Sequence, residues 1–276
     1  MPAGVSTSLN AGNVGWEVTA YANNRLMMFG WLAATCGGCS PQVSPQRLSI
    51  VRELRYEPRT VPPVIVSAPL PELALLHAAG APLFEAATGL TLPVGGAPTA
   101  GKATTLLNTS ILAAQAMDLQ MNFSLLSSSA VRCGAVVLAD LGGDFGQGAM
   151  LELNVSARFA NGTRSGTLRL WTVSYPASST ANTVPIAEYT MGFQVLRNEI
   201  TVDLRAIVDH SSVEAFAMGG RAVVTLAVVP HCTETEFAKN KCAAGSKQAG
   251  VAIWSETGAV VTSAVAHEME CGWASG

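Results

Sequence analysis

Acidic residues are scarce enough in this 276-residue chain to be weighed one by one: it has 19 Asp and Glu against 16 Lys and Arg. Charged residues make up 13% of it, where a soluble domain carries about 25%. A carboxylate pair is the usual apparatus for acid/base and nucleophilic work, and the nearest thing to one is Asp209 with Glu214, facing each other across an Asp-His-Ser-Ser turn. The same residues suit a plain hairpin, in which the Asp side chain accepts backbone amides. That structural reading is the stronger. Glu270, beside Cys271, is a second candidate acid. The aspartates are Asp118, Asp140, Asp144, Asp203 and Asp209, and none precedes a proline.

Other chemistry has less support. His77, His210, His231 and His267 are scattered, and no Gly-x-Ser-x-Gly elbow accompanies them. Cys36-Gly-Gly-Cys39 has no second Cys-x-x-Cys to complete a zinc site and no βαβ context for a redox pair. Gly142-Gly143-Asp144-Phe145-Gly146 lacks the lysine of a phosphate loop and reads as a turn. No cofactor or metal is implied. The net charge of −3 offers no basic footprint for nucleic acid. The uncharged stretch from Leu26 to Gln46 loses its apolar character near Ala34, too soon to span a bilayer.

The six cysteines allow 15 pairings. A Cys36–Cys39 loop, a Cys232–Cys242 staple and a Cys133–Cys271 pair form one set, with free thiols as the alternative. Four Asn-x-Ser/Thr sequons, at Asn108, Asn122, Asn154 and Asn161, fit an oxidising, glycosylating compartment. Met1 to Gly15 has neither a basic nor an apolar region of a secretion signal, so the expected start of the protein lies upstream.

The elements that must position these residues are strands. Leu151, Leu153, Val155 and Ala157 alternate with Glu152, Asn154, Ser156 and Arg158, a half-buried strand with period two. Asn161-Gly162 then marks a hairpin leading into Thr167–Tyr175. Further strands are expected at Ala113–Leu125, Arg132–Leu141, Glu188–Leu196, Ile200–Val208, Val213–Ala217, Arg221–Val229, Ala249–Ser255 and Ala259–His267, the rhythm of an antiparallel sandwich. Asp203 and Arg205 are expected to pair across Leu204 on a solvent face. Trp171 and Trp254 are read as core residues. The N-terminal quarter offers strands at Trp16–Tyr21, Leu26–Leu32, Arg47–Tyr56 and Thr60–Val66, and a helical turn over Pro69–His77. The fold class is all-β, in three parts: 1–66, a linker at 67–102 and a sandwich at 103–276.

Three stretches in collinear order resemble glycoside hydrolase family 32, the invertase, levanase and fructan hydrolase family. Asn24-Arg-Leu-Met-Met-Phe-Gly-Trp31-Leu32 is similar to the family's Gly-Trp strand in the last propeller blade. Leu48-Ser-Ile-Val-Arg52-Glu53-Leu54 is similar to its Leu-Ser-Leu-Pro-Arg-Glu-Leu, with Val51 in place of proline. Leu204 to Thr225, with Asp209-His-Ser-Ser-Val-Glu214-Ala-Phe216-Ala-Met-Gly-Gly220 at its centre, is similar to the Val-Asp-x-Ser-x-Val-Glu-x-Phe-x-x-x-Gly hairpin of its C-terminal sandwich.

The resemblance implies the last-blade remnant of a five-bladed β-propeller over 1–66, followed by the family's β-sandwich. It also implies a retaining β-fructofuranosidase chemistry on sucrose or fructan, in which two carboxylates about 5–5.5 Å apart act as nucleophile and acid/base. The Asn-Asp-Pro and Arg-Asp-Pro motifs that carry it are absent. Glu270-Cys271 copies the family's Glu-Cys dipeptide at the wrong place in the order. The chain by itself is therefore expected to be inactive, with no catalytic residue, a structural signature of Trp31, Arg52, Glu53, Asp209, Glu214, Phe216 and Gly220, and an upstream propeller as its partner. The full-length form would be secreted or vacuolar. A stand-alone carbohydrate-binding or interaction sandwich is the alternative.

Overall fold

The computed structural model describes residues 11–12, 14–22, 24–32, 47–86, 89–92, 94, 116–140, 147–174, 188–209, 212–227 and 248–270. The N-terminal strands are β1 (Ala11–Gly12), β2 (Val14–Ala22), β3 (Arg25–Leu32), β4 (Arg47–Leu48), β5 (Arg52–Glu57) and β6 (Val64–Pro69). A 3₁₀ turn over Pro71–Leu76 follows, where the sequence predicts a helical turn. Then come β7 (Phe84–Ala86), β8 (Leu90–Thr91), β9 (Ala116–Ser124), β10 (Val131–Asp140), β11 (Gln147–Val155), β12 (Arg164–Ser174) and β13 (Glu188–Val195). The last are β14 (Thr201–Asp209), β15 (Ser212–Ala217), β16 (Ala222–Ala227), β17 (Gln248–Ser255) and β18 (Val260–Glu268).

Strands β9 to β18 build a sandwich. One sheet has the order β1-β16-β15-β14-β9-β18-β7, with β8 also on β18, and the facing sheet runs β13-β12-β11-β10-β17. Period-two alternation decides which side chains meet between them. Met117, Leu119, Met121 and Phe123 of β9 are buried, as are Leu151, Leu153 and Val155 of β11. They join one core with Leu168, Leu170, Val202 and Leu204. The β11–β12 hairpin turns where Asn161-Gly162 predicts: Gly162 has φ +84°, its N–H donates to the Phe159 carbonyl and the Phe159 N–H to Thr163.

The N-terminal strands form a separate antiparallel sheet, β2-β3-β5-β6, with β4 on β3. The expected single strand Arg47–Tyr56 is broken between Leu48 and Arg52. There Ser49 leaves the ladder to accept the Gly30 N–H on its hydroxyl at 2.8 Å while donating its own N–H to the Gly30 carbonyl at 2.7 Å. Part of the expected linker is also strand, since β7 and β8 extend the first sandwich sheet through β18.

Two readings of polar residues are corrected. Glu152 is on the outer face with the exposed Asn154 but is not itself solvated: it is 5% exposed and held by Arg132 from the neighbouring strand at 2.9 Å. Nor do Asp203 and Arg205 pair. Arg205 reaches across to β9 and forks onto Asp118 at 2.9 and 2.7 Å, while Asp203 accepts the Gly219 N–H at 2.9 Å. Cross-strand neighbours on one face lie within reach of a long side chain such as arginine, and Arg205 takes the buried carboxylate on β9. Trp254 is buried as read, whereas Trp171 is half-buried, with the Arg169 guanidinium 4.2 Å from its ring centre.

Asp118 gathers three donors. Besides Arg205 it accepts from His77 Nε2 at 2.9 Å and Gln120 at 3.0 Å, so the residue that caps the 3₁₀ turn is tied to the sandwich. His77 also stacks on His267, ring centres 4.0 Å apart. Backbone bonds from Ala78 to Glu268 and from Glu270 to Leu76 close the same seam. Burial acts to raise the Asp118 carboxyl, but the Arg205 fork, His77 and Gln120 outweigh it and hold the group below the usual aspartate range. A depressed folded-state pKa contributes stability that is present above the unfolded value, about 3.9, and is lost as pH falls through the folded one. Asp118→Asn is therefore expected to lose roughly 2–3 kcal/mol at neutral pH and to flatten the decline of stability below pH ~4. Denaturant titrations at a series of pH values check this; an unchanged acid slope contradicts it.

Candidate functional site

Strand β15 is buried along its whole length, and that is the mark of the site. Val213, Ala215 and Ala217 face the sandwich core. The alternate residues, Glu214 and Phe216, point the other way, where an ordinary outer sheet face would meet water. Here they meet the N-terminal sheet. Phe216 packs with Ile207, Val223, Ile50 and Met269 in a second apolar cluster.

Glu214 is 3% exposed and Arg52, on β5, 1%. Arg52 Nη2 forms a close ion pair with Glu214 Oε2 and donates to the Thr225 hydroxyl on β16 at 2.9 Å. The Ile50 N–H donates to Glu214 Oε1 at 2.6 Å. The Arg52 guanidinium carbon lies 5.3 Å from the centre of the Phe216 ring. Charge, hydrogen bonds and ring face thus satisfy a desolvated pair that would otherwise be costly.

Gly220 completes the contact. Its φ is +98°, and a Cβ there would stand 2.3 Å from the Ser67 carbonyl oxygen of β6. Only glycine lets the two backbones approach this closely. At the rim, Arg221 forks onto Glu199 at 2.7 and 2.6 Å and lies 3.5 Å from Glu57 of β5. The Val61 N–H donates to Gln194 at 3.0 Å. Arg59, opposed by the partial burial of the group, draws the Glu57 carboxyl down to about 2. Glu53, next to Arg52 but on the opposite face, bonds Arg55 at 2.8 Å.

Arg52, Glu214, Phe216 and Gly220 of the signature therefore converge on one seam between the N-terminal sheet and the sandwich. Asp209 is exposed at the end of β14, apart from this cluster. Glu214 has both oxygens committed to structure, so the paired-carboxylate reading finds no support; it sits in the β14–β15 hairpin as read and is an inter-sheet anchor as well. Glu270 is exposed just past β18. Trp31 lies in β3, and its side chain is outside the described residues, as are Asn108, Cys36, Cys39, Cys232, Cys242 and Cys271. Cys133 is a free thiol buried in the sandwich core, where the expected pairing with Cys271 would have placed a disulfide. Burial pushes that thiol far up. Asn154 and Asn161 are exposed; Asn122 is engaged with Ser263 at 3.0 Å. Among the described residues no group of three His, Cys, Asp or Glu is placed to hold a metal, and no helix is long and apolar enough to cross a membrane.

The residue that sequence reasoning undervalued is Thr225, which closes the ion pair from β16. Its only signal was a polar residue in the run Ala222-Val-Val-Thr-Leu-Ala227, a run otherwise apolar throughout.

A two-sheet sandwich carrying a third sheet, antiparallel, against one outer face is the architecture so defined. A family model described as the glycosyl hydrolases family 32 C-terminal domain matches residues 97–265. The chain belongs to this family. Among solved structures, fructan 1-exohydrolase IIa from Cichorium intybus is similar at 14% identity with a TM-score of 0.63, over 95% of this chain and 49% of that one. Exo-inulinase from Aspergillus awamori is similar at 16% identity, also with a TM-score of 0.63, over 96% of this chain and 45% of that one. The chain thus spans about half the length of these structures. No curated protein matches it.

Removing either charge at the seam leaves its partner buried and unpaired, which costs about 3–5 kcal/mol. Arg52→Met and Glu214→Gln are each expected to destabilise by that order, and the double variant by clearly less than their sum. Gly219 and Gly220 supply a matched comparison, because both have positive φ but nothing lies within 4 Å of a Cβ at Gly219. Gly220→Ala is expected to lose at least ~2 kcal/mol more than Gly219→Ala, beyond the strain of roughly 1–2 kcal/mol they share. Chemical denaturation of the five proteins checks both statements; additive charge variants or equal glycine variants would contradict them.

Proposed function

We propose that this chain is the C-terminal portion of a β-fructofuranosidase-like glycoside hydrolase acting on sucrose or a fructan, and that its sandwich holds the end of the catalytic propeller in position. In this reading residues 1–66, which contain β2 to β5 and the start of β6 of the N-terminal sheet, are the propeller's last-blade remnant, and 67–102 is the linker. The observation that carries it is the buried Arg52–Glu214–Thr225 contact, which joins the two parts through residues of the resembled motifs. Those residues are spent on docking and none is left for substrate.

In the full enzyme the acid/base and nucleophilic carboxylates come from the propeller portion upstream. The sandwich contributes rigidity: a retaining glycosidase needs its two carboxyl groups about 5–5.5 Å apart, and a misplacement of about 1 Å can lose on the order of 100-fold in rate. Exposed sequons at Asn154 and Asn161 support a secreted or vacuolar location.

The chain alone is expected to release no fructose from sucrose or inulin. Fused behind the upstream propeller portion of a family member, it is expected to give fructose release, and Glu214→Gln in that fusion to lower the melting temperature with KM unchanged. Hydrolysis by the isolated chain would overturn the assignment. Fructan binding by the isolated chain, with no activity gained in the fusion, would replace it with a stand-alone carbohydrate-binding module.

A further inference from the structure

Phe159-Ala160-Asn161-Gly162-Thr163 closes the β11–β12 hairpin. The connection is a three-residue loop of the kind in which a glycine takes the left-handed position before the second strand begins. Gly162 has φ +84°, while Asn161 is outside the positive-φ region. The Phe159 N–H donates to the Thr163 carbonyl and the Gly162 N–H to the Phe159 carbonyl, each at 2.9 Å. Arg158 Nη1 donates to the Gly162 carbonyl at 3.1 Å and pins the turn.

Phe159 and Thr163 therefore oppose each other across the ladder, and opposed residues project from one face. Asn161 leans over the same face, where its Oδ1 accepts the Thr163 N–H at 3.0 Å and the Thr163 hydroxyl at 2.7 Å. Asn161 is exposed, and its Nδ2 has no partner among the described residues. Phe159 is 49% exposed and belongs to neither apolar core cluster. Its ring offers a large flat surface to the apolar C–H face of a pyranose, with the threonine methyl beside it. These bonds run within residues 158–163, so the geometry needs no distant partner.

The other described sequons lack these features. Asn122 lies mid-strand in β9, between β14 and β18, and its Nδ2 donates to the Ser263 hydroxyl at 3.0 Å. Asn154 is exposed but sits in the ladder between Arg132 and Thr167. Glu152 stands two residues before it in place of a ring, and Ser156 turns its hydroxyl to the Ala157 carbonyl at 2.9 Å.

We propose that Asn161, and not Asn122, is an N-glycosylation site, and that Phe159 and Thr163 hold its first sugar, an N-acetylhexosamine, against the turn. In the transfer, Asn161 Nδ2 attacks the anomeric carbon of an oligosaccharide carried on a polyprenyl diphosphate. The C–N bond forms as the C–O bond to the diphosphate breaks, the amide gives up one proton, and the lipid diphosphate leaves. The sugar covers a ring that is otherwise open to water. This site needs the secretory location proposed above and is independent of the catalytic assignment.

The test places the full chain, with Asn108→Gln and Asn154→Gln, behind a secretion signal in a host that makes N-glycans, and in the same host with synthesis of the lipid-linked donor blocked. Peptide mass spectrometry is expected to find Asn161 modified and Asn122 bare. Trimmed to a single N-acetylglucosamine, the glycosylated form is expected to melt about 2–4 °C above the unglycosylated one. Phe159→Ala is expected to remove most of that difference. Both forms then carry the variant, so any change in intrinsic stability cancels. An unmodified Asn161 beside a modified control glycoprotein from the same host, modification of Asn122 at the level of Asn161, no melting difference, or a difference that Phe159→Ala leaves intact would each overturn the proposal.

Discussion

The seam between the two parts of this molecule depends on one buried ion pair. Arg52 and Glu214 are far apart in sequence and both nearly sealed from water. Such a pair gains little over an apolar pair of the same shape, because desolvation consumes most of the Coulomb energy. Its effect is geometric. Any shifted docking would strand a cation on β5 and an anion on β15, with Thr225 and the Ile50 N–H losing their partners as well. The apolar contact of Phe216 with Ile50 alone would tolerate sliding; the ion pair does not.

The same constraint explains the shape of the neighbouring sequence. A strand that faces a core on one side and a charged partner on the other cannot show a clean hydrophobic alternation. Val213, Ala215 and Ala217 obey the alternation, while Glu214 and Phe216 fill the other face. Gly220 belongs to the same design, since β6 passes so near that even a methyl group would meet the Ser67 carbonyl. A short strand, one acid, one ring and one glycine thus encode a docking surface within a few residues.

How much of this could be read in advance follows from which interactions are local. Strands such as β9, β12 and β14 are legible because core burial imposes period two, and the Asn161-Gly162 turn because positive φ selects its residues. The signature of Arg52, Glu214, Phe216 and Gly220 was legible as a pattern, but not that it joins two sheets. The partners of Asp118 were not legible. His77 and Arg205 reach it from a 3₁₀ turn and a neighbouring strand, and no spacing rule links positions brought together only by the fold. Glu152 was misread for the same reason, since Arg132 on the neighbouring strand covers it while Asn154 on the same face stays exposed. The break at Ser49 was hidden because Leu48 to Tyr56 carries no glycine and its only proline-like signal had been replaced by Val51.

The scarcity of charge takes on a meaning at this point. Pairs such as Arg59–Glu57 and Arg169–Glu188 lie at the surface, but others cross between separate parts of the fold. Arg52–Glu214, Arg205–Asp118–His77, Arg221–Glu199 with Glu57, and Arg25–Glu72 each tie together segments distant in the chain. Exposed pairs add only about 0–1 kcal/mol each, so the exposed Arg25–Glu72 bridge is a minor tether, while the sealed pairs at β5–β15 and at Asp118 penalise every arrangement in which they are unmade. Apolar area supplies the cohesion of the sandwich, and its non-directional nature leaves orientation undetermined. The few charges supply the orientation. The proposed role, holding a catalytic sheet at a fixed angle, needs that second quality more than additional stability.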